Sequence, residues 1–240
     1  MRIFLAGAGG VIGRRLVPLL RAAGHAVVGT TRSADKAAAV RALGAEPVVV
    51  DVFDAAALTR AVQAAAPQIV MHQLTDLAFA PGTPRYQEAL ERNARLRIEG
   101  TRNLVAAARA AGVTRLIAQS IAFVYALAPG ARVESDPLNL ATEGAIGRTV
   151  AAVAALEQAV LSMPDGIVLR YGFFYGPGTW SGDAPARQPG VHIDAAAQAA
   201  LLALSKGSRG IYNVAEDSPA LSSAKAKREL GFDAAFRIKP

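Results

Sequence analysis

A doubly wound parallel α/β sheet is the fold class this sequence predicts, on three observations. Short apolar runs alternate with longer alanine-rich stretches of helical period, a glycine-rich turn directly follows the first apolar run, and the central runs are apolar without interruption. Strands covered by helices on both faces read in that way. The chain has 240 residues, 52% hydrophobic and 19% charged, with a mean hydropathy of +0.27, enough apolar material for a large core and too much for a disordered chain.

The strands are expected at 2–6, 26–30, 47–50, 68–72, 114–119, 166–171 and 210–214. A first helix should run from Val11 to Ala23 and stop at Gly24, and a second should start after Ser33 and end near Gly44. Longer helical segments are expected over about 85–111 and 147–163, with apolar stripes at three- and four-residue spacing. Two copies of the chain could pair through these two segments as a homodimer. With no repeat and no low-complexity linker, residues 1–240 read as one domain, with a loop and one terminal helix after Asp217.

Composition excludes several classes of function. Cysteine is absent, which removes a disulfide framework, a thiolate metal site and a cysteine nucleophile. His25, His72 and His192 are too scattered to suggest a metal site, so none is expected. Every apolar stretch is broken well before the roughly 20 residues of a membrane span, and no basic region precedes the first one, which predicts a cytoplasmic protein without contact to a membrane. The net charge of +7 invites a nucleic-acid reading. Many of its arginines, from Arg21, Arg41 and Arg60 to Arg109, Arg148 and Arg209, however, stand singly, and the tightest basic group, 225–228, is followed by Glu229, as on a solvated helix face, so no nucleic-acid partner is expected.

The chemistry begins at Gly7-Ala8-Gly9-Gly10-Val11-Ile12-Gly13, between the first strand and the first helix. Gly7, Gly10 and Gly13 have GxxGxxG spacing. Glycine lets the chain leave the strand sharply, lets a diphosphate approach the free amides of Val11 and Ile12, and lets helix and strand pack closely. That predicts a Rossmann-type dinucleotide site. A carboxylate ending the second strand would accept the ribose hydroxyls of NAD, but Thr31, Arg32 and Ser33 stand there instead. A guanidinium flanked by hydroxyls suits a 2′-phosphate, so NADP (NADPH) is favoured over NAD.

Further stretches follow in order: DVFD at 51–54, VMHQLT at 70–75, GTRNLVAAARAAGVTRLIAQS at 100–120, LRYGFFYGPGTW at 169–180 and VHID at 191–194. With the glycine loop, these make the chain resemble the atypical or extended short-chain dehydrogenase/reductases of the NAD-dependent epimerase/dehydratase and NmrA-like kind, over nearly its whole length. The resemblance implies that Asp51 and Val52 meet the adenine and that Gln73 and Leu74 line the nicotinamide ribose. It implies that Ser120 holds the substrate oxygen and that Tyr171 and Phe173 face nicotinamide and substrate.

Two departures from that family stand out. Its acid/base pair is a tyrosine followed four residues later by a lysine on the helix after the fifth strand; counting back from Glu157, those positions hold Thr149 and Val153, and no lysine occurs between Lys36 and Lys206. The remaining hydroxyls that could supply a proton are Ser120, Tyr125 and Tyr175, or bound water. Secondly, the substrate-side elements, about 171–194 and 213–240, are short, which gives a reduced C-terminal lobe with Phe173, Tyr175 and Trp180 as its aromatic lining. The expectation is an NADP-dependent oxidoreductase acting on a small-molecule carbonyl or hydroxyl metabolite. The alternatives are a sensor that binds the coenzyme without turnover and a redox-neutral cyclase, isomerase or dehydratase.

Overall fold

The computed structural model describes every residue except 78, 80, 81, 239 and 240. Its strands are β1 (Arg2–Ala6), β2 (Ala26–Thr31), β3 (Glu46–Val49), β4 (Ile69–His72), β5 (Arg115–Ile121), β6 (Asp165–Tyr171), β7 (Phe173–Tyr175), β8 (Gly190–His192) and β9 (Gly210–Val214). Seven of them form one parallel sheet in the order β3-β2-β1-β4-β5-β6-β9, and β7 and β8 form a separate parallel pair at its carboxyl edge. The order reverses beside β1, which pairs with β2 through Leu5↔Gly29 and with β4 through Leu5↔Met71. A crevice opens at such a reversal because the connections leave in opposite directions.

Side chains alternate along each strand, so the sheet feeds two cores. Ile3, Leu5, Met71, Ile117 and Leu169 face α1 (Val11–Ala22) and a later helix, 193–202. Phe4, Ala6, Val70, Leu116 and Val168 face α3 (Ala55–Ala65), which follows the short α2 (Ala37–Ala42), and the helices after it. These are α4 (Tyr86–Arg95), α5 (Thr101–Ala110) and α6 (Gly144–Leu161), followed by α7 (Ile193–Leu202) and α8 (Ala224–Leu230). Ala195, Ala196, Ala199 and Ala200 of α7 are fully buried against the α1 side, small side chains that let the helix approach closely.

Two elements differ from expectation. The segment expected as one helix over 85–111 changes winding at Leu96–Gly100, a π-turn that joins α4 to α5. A Cβ on Gly100 would stand 2.9 Å from Leu96 Cδ1 and 3.1 Å from Val52 Cγ1, so glycine lets the helix pass close to the adjacent loop without shifting those side chains. After Ser33 the chain first makes a 3₁₀ turn, Ala34–Lys36, without a side-chain cap; the Ser33 hydroxyl turns to Asp35 Oδ2 instead, at 3.4 Å. Helix α6 has the length and apolarity of a membrane span, the one such helix among the described residues. Its Val153, Leu156 and Val160 are buried within the fold, so α6 packs one apolar face against β5 and β6.

Candidate coenzyme and substrate site

The turn from β1 into α1 is the foundation of the site. Gly7 has φ +99°, and a Cβ there would lie 2.6 Å from the Gln73 carbonyl oxygen. At Gly13 a Cβ would come within 2.3 Å of the Gly7 carbonyl oxygen and 2.4 Å of that of Ala8. Helix and strand can therefore meet only through glycine. Gly10 is the N-cap residue with extended backbone, so the amides of Val11, Ile12 and Gly13 in the first turn have no carbonyl one turn earlier to bind. They form a positive cradle at the helix start.

This cradle opens into a cleft of about 250 Å³ across the carboxyl ends of β1, β2 and β4. Gly7, Gly10, Thr31, Arg32, Ser33, Val52, Gln73 and Leu74, all expected from the sequence, line it. Val11, Ile12 and Gly13 form the helix start beneath it. Asp51 is placed differently: its carboxylate accepts from the Phe53 amide at 2.9 Å and holds the turn after β3, while Val52 and Phe53 supply the apolar wall. Tyr171 is corrected to a core residue, because its ring is fully buried and its hydroxyl donates to the Ala196 carbonyl at 3.2 Å. Burial also pushes that phenol well above its ordinary value.

Arg14, Lys36 and Asp76 join the cleft without having been singled out from the sequence. Lys36 could have been found four residues after Arg32, whereas Asp76 sits on the β4–α4 connection, where no periodicity points to it. Three cations and one carboxylate thus face the cavity. The Gln73 amide, 4% exposed, has the Tyr171 hydroxyl as its side-chain neighbour and closes no well-formed hydrogen bond. A buried amide with unused hydrogen-bonding capacity beside a cationic cavity and an open amide cradle fits a nucleotide coenzyme with a diphosphate and hydrogen-bonding ring edges.

The hydroxyls expected to be catalytic belong to a different construction. Ser120 Oγ donates to Glu157 Oε1 at 2.7 Å, and Glu157 takes Arg170 through two hydrogen bonds of 2.8 and 2.6 Å. The Arg170 guanidinium lies 4.7 Å from the centre of the Tyr125 ring, and Tyr125 donates to Asn213 Oδ1 at 2.6 Å. Glu157 and Arg170 are almost wholly buried. Ser120 is thereby corrected from a substrate-facing group to a member of this network, since its proton is committed to the carboxylate. Burial raises the Tyr125 phenol, with Arg170 opposing the shift. Thr149 gives its hydroxyl to the Ala145 carbonyl at 3.0 Å and Val153 is fully buried, so neither position carries acid/base chemistry.

A second cleft, of about 270 Å³, lies past the end of β5 and is lined by Ala122, Phe123, Tyr125, Leu127, Pro189 and Leu221 among others. Phe173 stacks on Phe123 with ring centres 4.0 Å apart. Gln119 Nε2 donates to the Leu74 carbonyl at 2.7 Å and so ties the β5 end to the wall of the first cleft. Tyr175 instead bonds Glu216, receives Arg237 Nη2 at 2.9 Å and meets the His192 ring edge-on, while Trp180 is 55% exposed; neither lines either cleft. His192 Nδ1 accepts from the Asp194 amide at 3.2 Å and caps α7. No cluster of three metal-ligating side chains occurs among the described residues.

Comparison with known proteins agrees with this geometry. The pattern of the NAD dependent epimerase/dehydratase family matches residues 3–189. The 3-diazoavenalumate denitrifying reductase of a Streptomyces species is 42% identical over a 241-residue alignment that covers 92% of this chain and 77% of that protein. Gre2 of Candida albicans, solved with NADPH, superposes with a TM-score of 0.80 at 16% identity over 98% of this chain and 95% of its own. Thermus thermophilus UDP-glucose 4-epimerase, solved with NAD, gives 0.77 at 22% identity over 99% and 95%. The open amide cradle, the reversed strand order and the matched pattern converge: this chain belongs to the NAD-dependent epimerase/dehydratase family and is an NAD(P)-dependent oxidoreductase or epimerase-like enzyme.

Proposed function

We propose that the protein is an NADPH-dependent reductase whose substrate is an aromatic diazo compound. The observation that carries this reading is the coenzyme cradle beside a Ser120 whose hydroxyl is bound to Glu157, which fits the expected absence of the family's proton-relay pair. Val11, Ile12 and Gly13 would hold the diphosphate, Gln73 and Leu74 the nicotinamide half, and Arg32, Ser33 and Lys36 the 2′-phosphate. Bound there, the coenzyme supplies a hydride.

The residues present then select the acceptor. A ketone that takes up hydride becomes an alkoxide and needs a proton at oxygen, delivered by a positioned acid. An aryl diazonium group that takes up hydride loses dinitrogen and leaves hydrogen on the ring, so no alkoxide forms. The chain has tied up the hydroxyls that would serve the first reaction, and the 42% identical relative is named for the removal of nitrogen from a diazo substrate. Phe123, stacked on Phe173, Leu127 and Leu221 offer apolar surface for a flat ring in the second cleft.

Mixing enzyme, NADPH and a panel of aryl diazonium salts and aryl ketones tests the reading. Loss of the reduced-nicotinamide absorbance with equimolar gas release is expected for the diazonium salts only. Oxidation by ketones alone would return the function to carbonyl reduction. Coenzyme binding without turnover on any acceptor would favour the sensor, a reading to which the engaged Ser120 and Tyr125 hydroxyls also lend themselves. The homodimer expected from the sequence would form through the segments of about 85–111 and 147–163, that is α4 with α5 and most of α6, of which α4 and α6 pack side by side; sedimentation of the purified chain tests it.

A further inference from the structure

The carboxylate of Asp76 is the one acidic side chain among the described residues lining the coenzyme cleft, and it lies between two guanidiniums. Its Oδ2 is 3.5 Å from Arg32 Nη1 and 3.6 Å from Arg92 Nε. The backbone of Asp76 is fixed independently, because its amide donates at 2.9 Å to Oδ1 of Asn93, a buried side chain of α4. Arg32 extends from the other wall, at the end of β2, with its side chain 60% exposed. A bridge therefore crosses the cleft from the β2 side to the β4–α4 connection, and it engages the same guanidinium assigned above to the 2′-phosphate.

We propose that Asp76 is an internal counter-anion that competes with the coenzyme's 2′-phosphate for Arg32 and thereby sets how strongly the cleft prefers the phosphorylated ribose. This rests on the reading of the cleft as an NADP site. A phosphate monoester brings close to two negative charges at neutral pH. Arg32 must leave Asp76 to meet it, while Arg92 and the Asn93 hydrogen bond keep the carboxylate in place, so the repulsion persists after the exchange. Arg32 is well exposed, hence the exchange is cheap and the effect modest and screened by salt. A ligand with a free 2′-hydroxyl meets no such repulsion. Asp76 is in this sense a specificity-determining residue that acts against the coenzyme it admits.

Calorimetric titration of 2′-AMP and 5′-AMP into wild type, Asp76→Asn and Asp76→Glu tests the proposal and the reading beneath it separately. The expected result is that wild type favours 2′-AMP and that Asp76→Asn binds it about five- to tenfold more tightly at low salt. That gain should shrink at high salt, 5′-AMP should be nearly unaffected, and Asp76→Glu should stay near wild type. Unchanged or weaker binding of 2′-AMP by Asp76→Asn, or an equal gain for both nucleotides, overturns the role of Asp76. Absence of a 2′-AMP preference in wild type overturns the NADP reading; a gain specific to 2′-AMP in the variant would still uphold the competition, and no gain would end both.

Discussion

Ser120 Oγ and Glu157 Oε1 stand 2.7 Å apart in the buried region between β5 and α6, with Arg170 gripping the same carboxylate. The three side chains close a polar network that Tyr125 and Asn213 extend. Removing one ion of such a pair leaves the other buried and uncompensated, so Glu157→Gln should lower unfolding stability by about 3–5 kcal/mol. Ser120→Ala removes one hydrogen bond to a charged acceptor and should cost roughly 1.5–3 kcal/mol. Urea unfolding of both variants checks the order. A Ser120→Ala variant that keeps its melting midpoint but loses hydride transfer would show that the hydroxyl works on substrate after all.

The glycine turn gives a contrast within one loop. Gly13→Ala forces a Cβ to 2.3 Å from a backbone carbonyl that cannot move without opening the β1–α1 turn, whereas at Gly9 the nearest atom is Val40 Cγ2 at 4.0 Å. Gly13→Ala should therefore abolish binding of the nicotinamide coenzyme, NAD(H) or NADP(H), and lower the thermal midpoint, and Gly9→Ala should fold like wild type. Fluorescence titration of NADPH together with thermal melts tests this; equal damage at both positions would mean that the close approach does not decide the cradle.

What the sequence made legible follows from how local each signal is. β1, α1 and the glycine turn are consecutive, so pattern and punctuation reported them, and Arg32 and Ser33 follow the next strand directly. Asp76 gave no signal because its role arises only when the β4–α4 connection lies over a strand end more than 40 residues earlier in the chain. Ser120 misled for the same reason: its partners Glu157 and Arg170 come from α6 and β6, and hydrogen-bond partners at such separations are invisible to spacing. Tyr171 ends β6 as expected, yet the pleat buries its ring on the α7 face, where its hydroxyl meets the Ala196 carbonyl.

His72 is a source of acid sensitivity. Its Nδ1 accepts from the Leu74 amide at 3.2 Å, which leaves Nε2 to carry the proton toward Thr101 Oγ1 at 2.9 Å, a neutral imidazole. Burial, helped by the Arg97 guanidinium nearby, lowers its pKa to about 4. The unfolded chain takes up a proton near pH 6.5 while the folded chain resists until about pH 4, so this contribution is whole above 6.5 and is lost as pH falls through that window. The loss is up to about 3 kcal/mol for one proton over that interval. Urea unfolding at pH 7.5, 6 and 4.5 should show the decline in wild type and a shallower one in His72→Gln; parallel declines would place the sensitivity elsewhere.

Arg97, on the π-turn between α4 and α5, is 8% exposed and has no hydrogen bond, ion pair or ring contact among the described residues. Burial lowers its pKa to about 10, with Glu157 as the main opposing charge. It stays protonated at neutral pH, so the fold bears the desolvation of a charge that no direct partner offsets. Replacing it with an apolar side chain of similar length removes that cost. Arg97→Met should raise unfolding stability by about 1–3 kcal/mol, read as a higher urea midpoint at unchanged slope. A loss of stability in Arg97→Met would instead mean that the Glu157 field already compensates the guanidinium, in which case the double variant Arg97→Met with Glu157→Gln should be more stable than the sum of the two single changes.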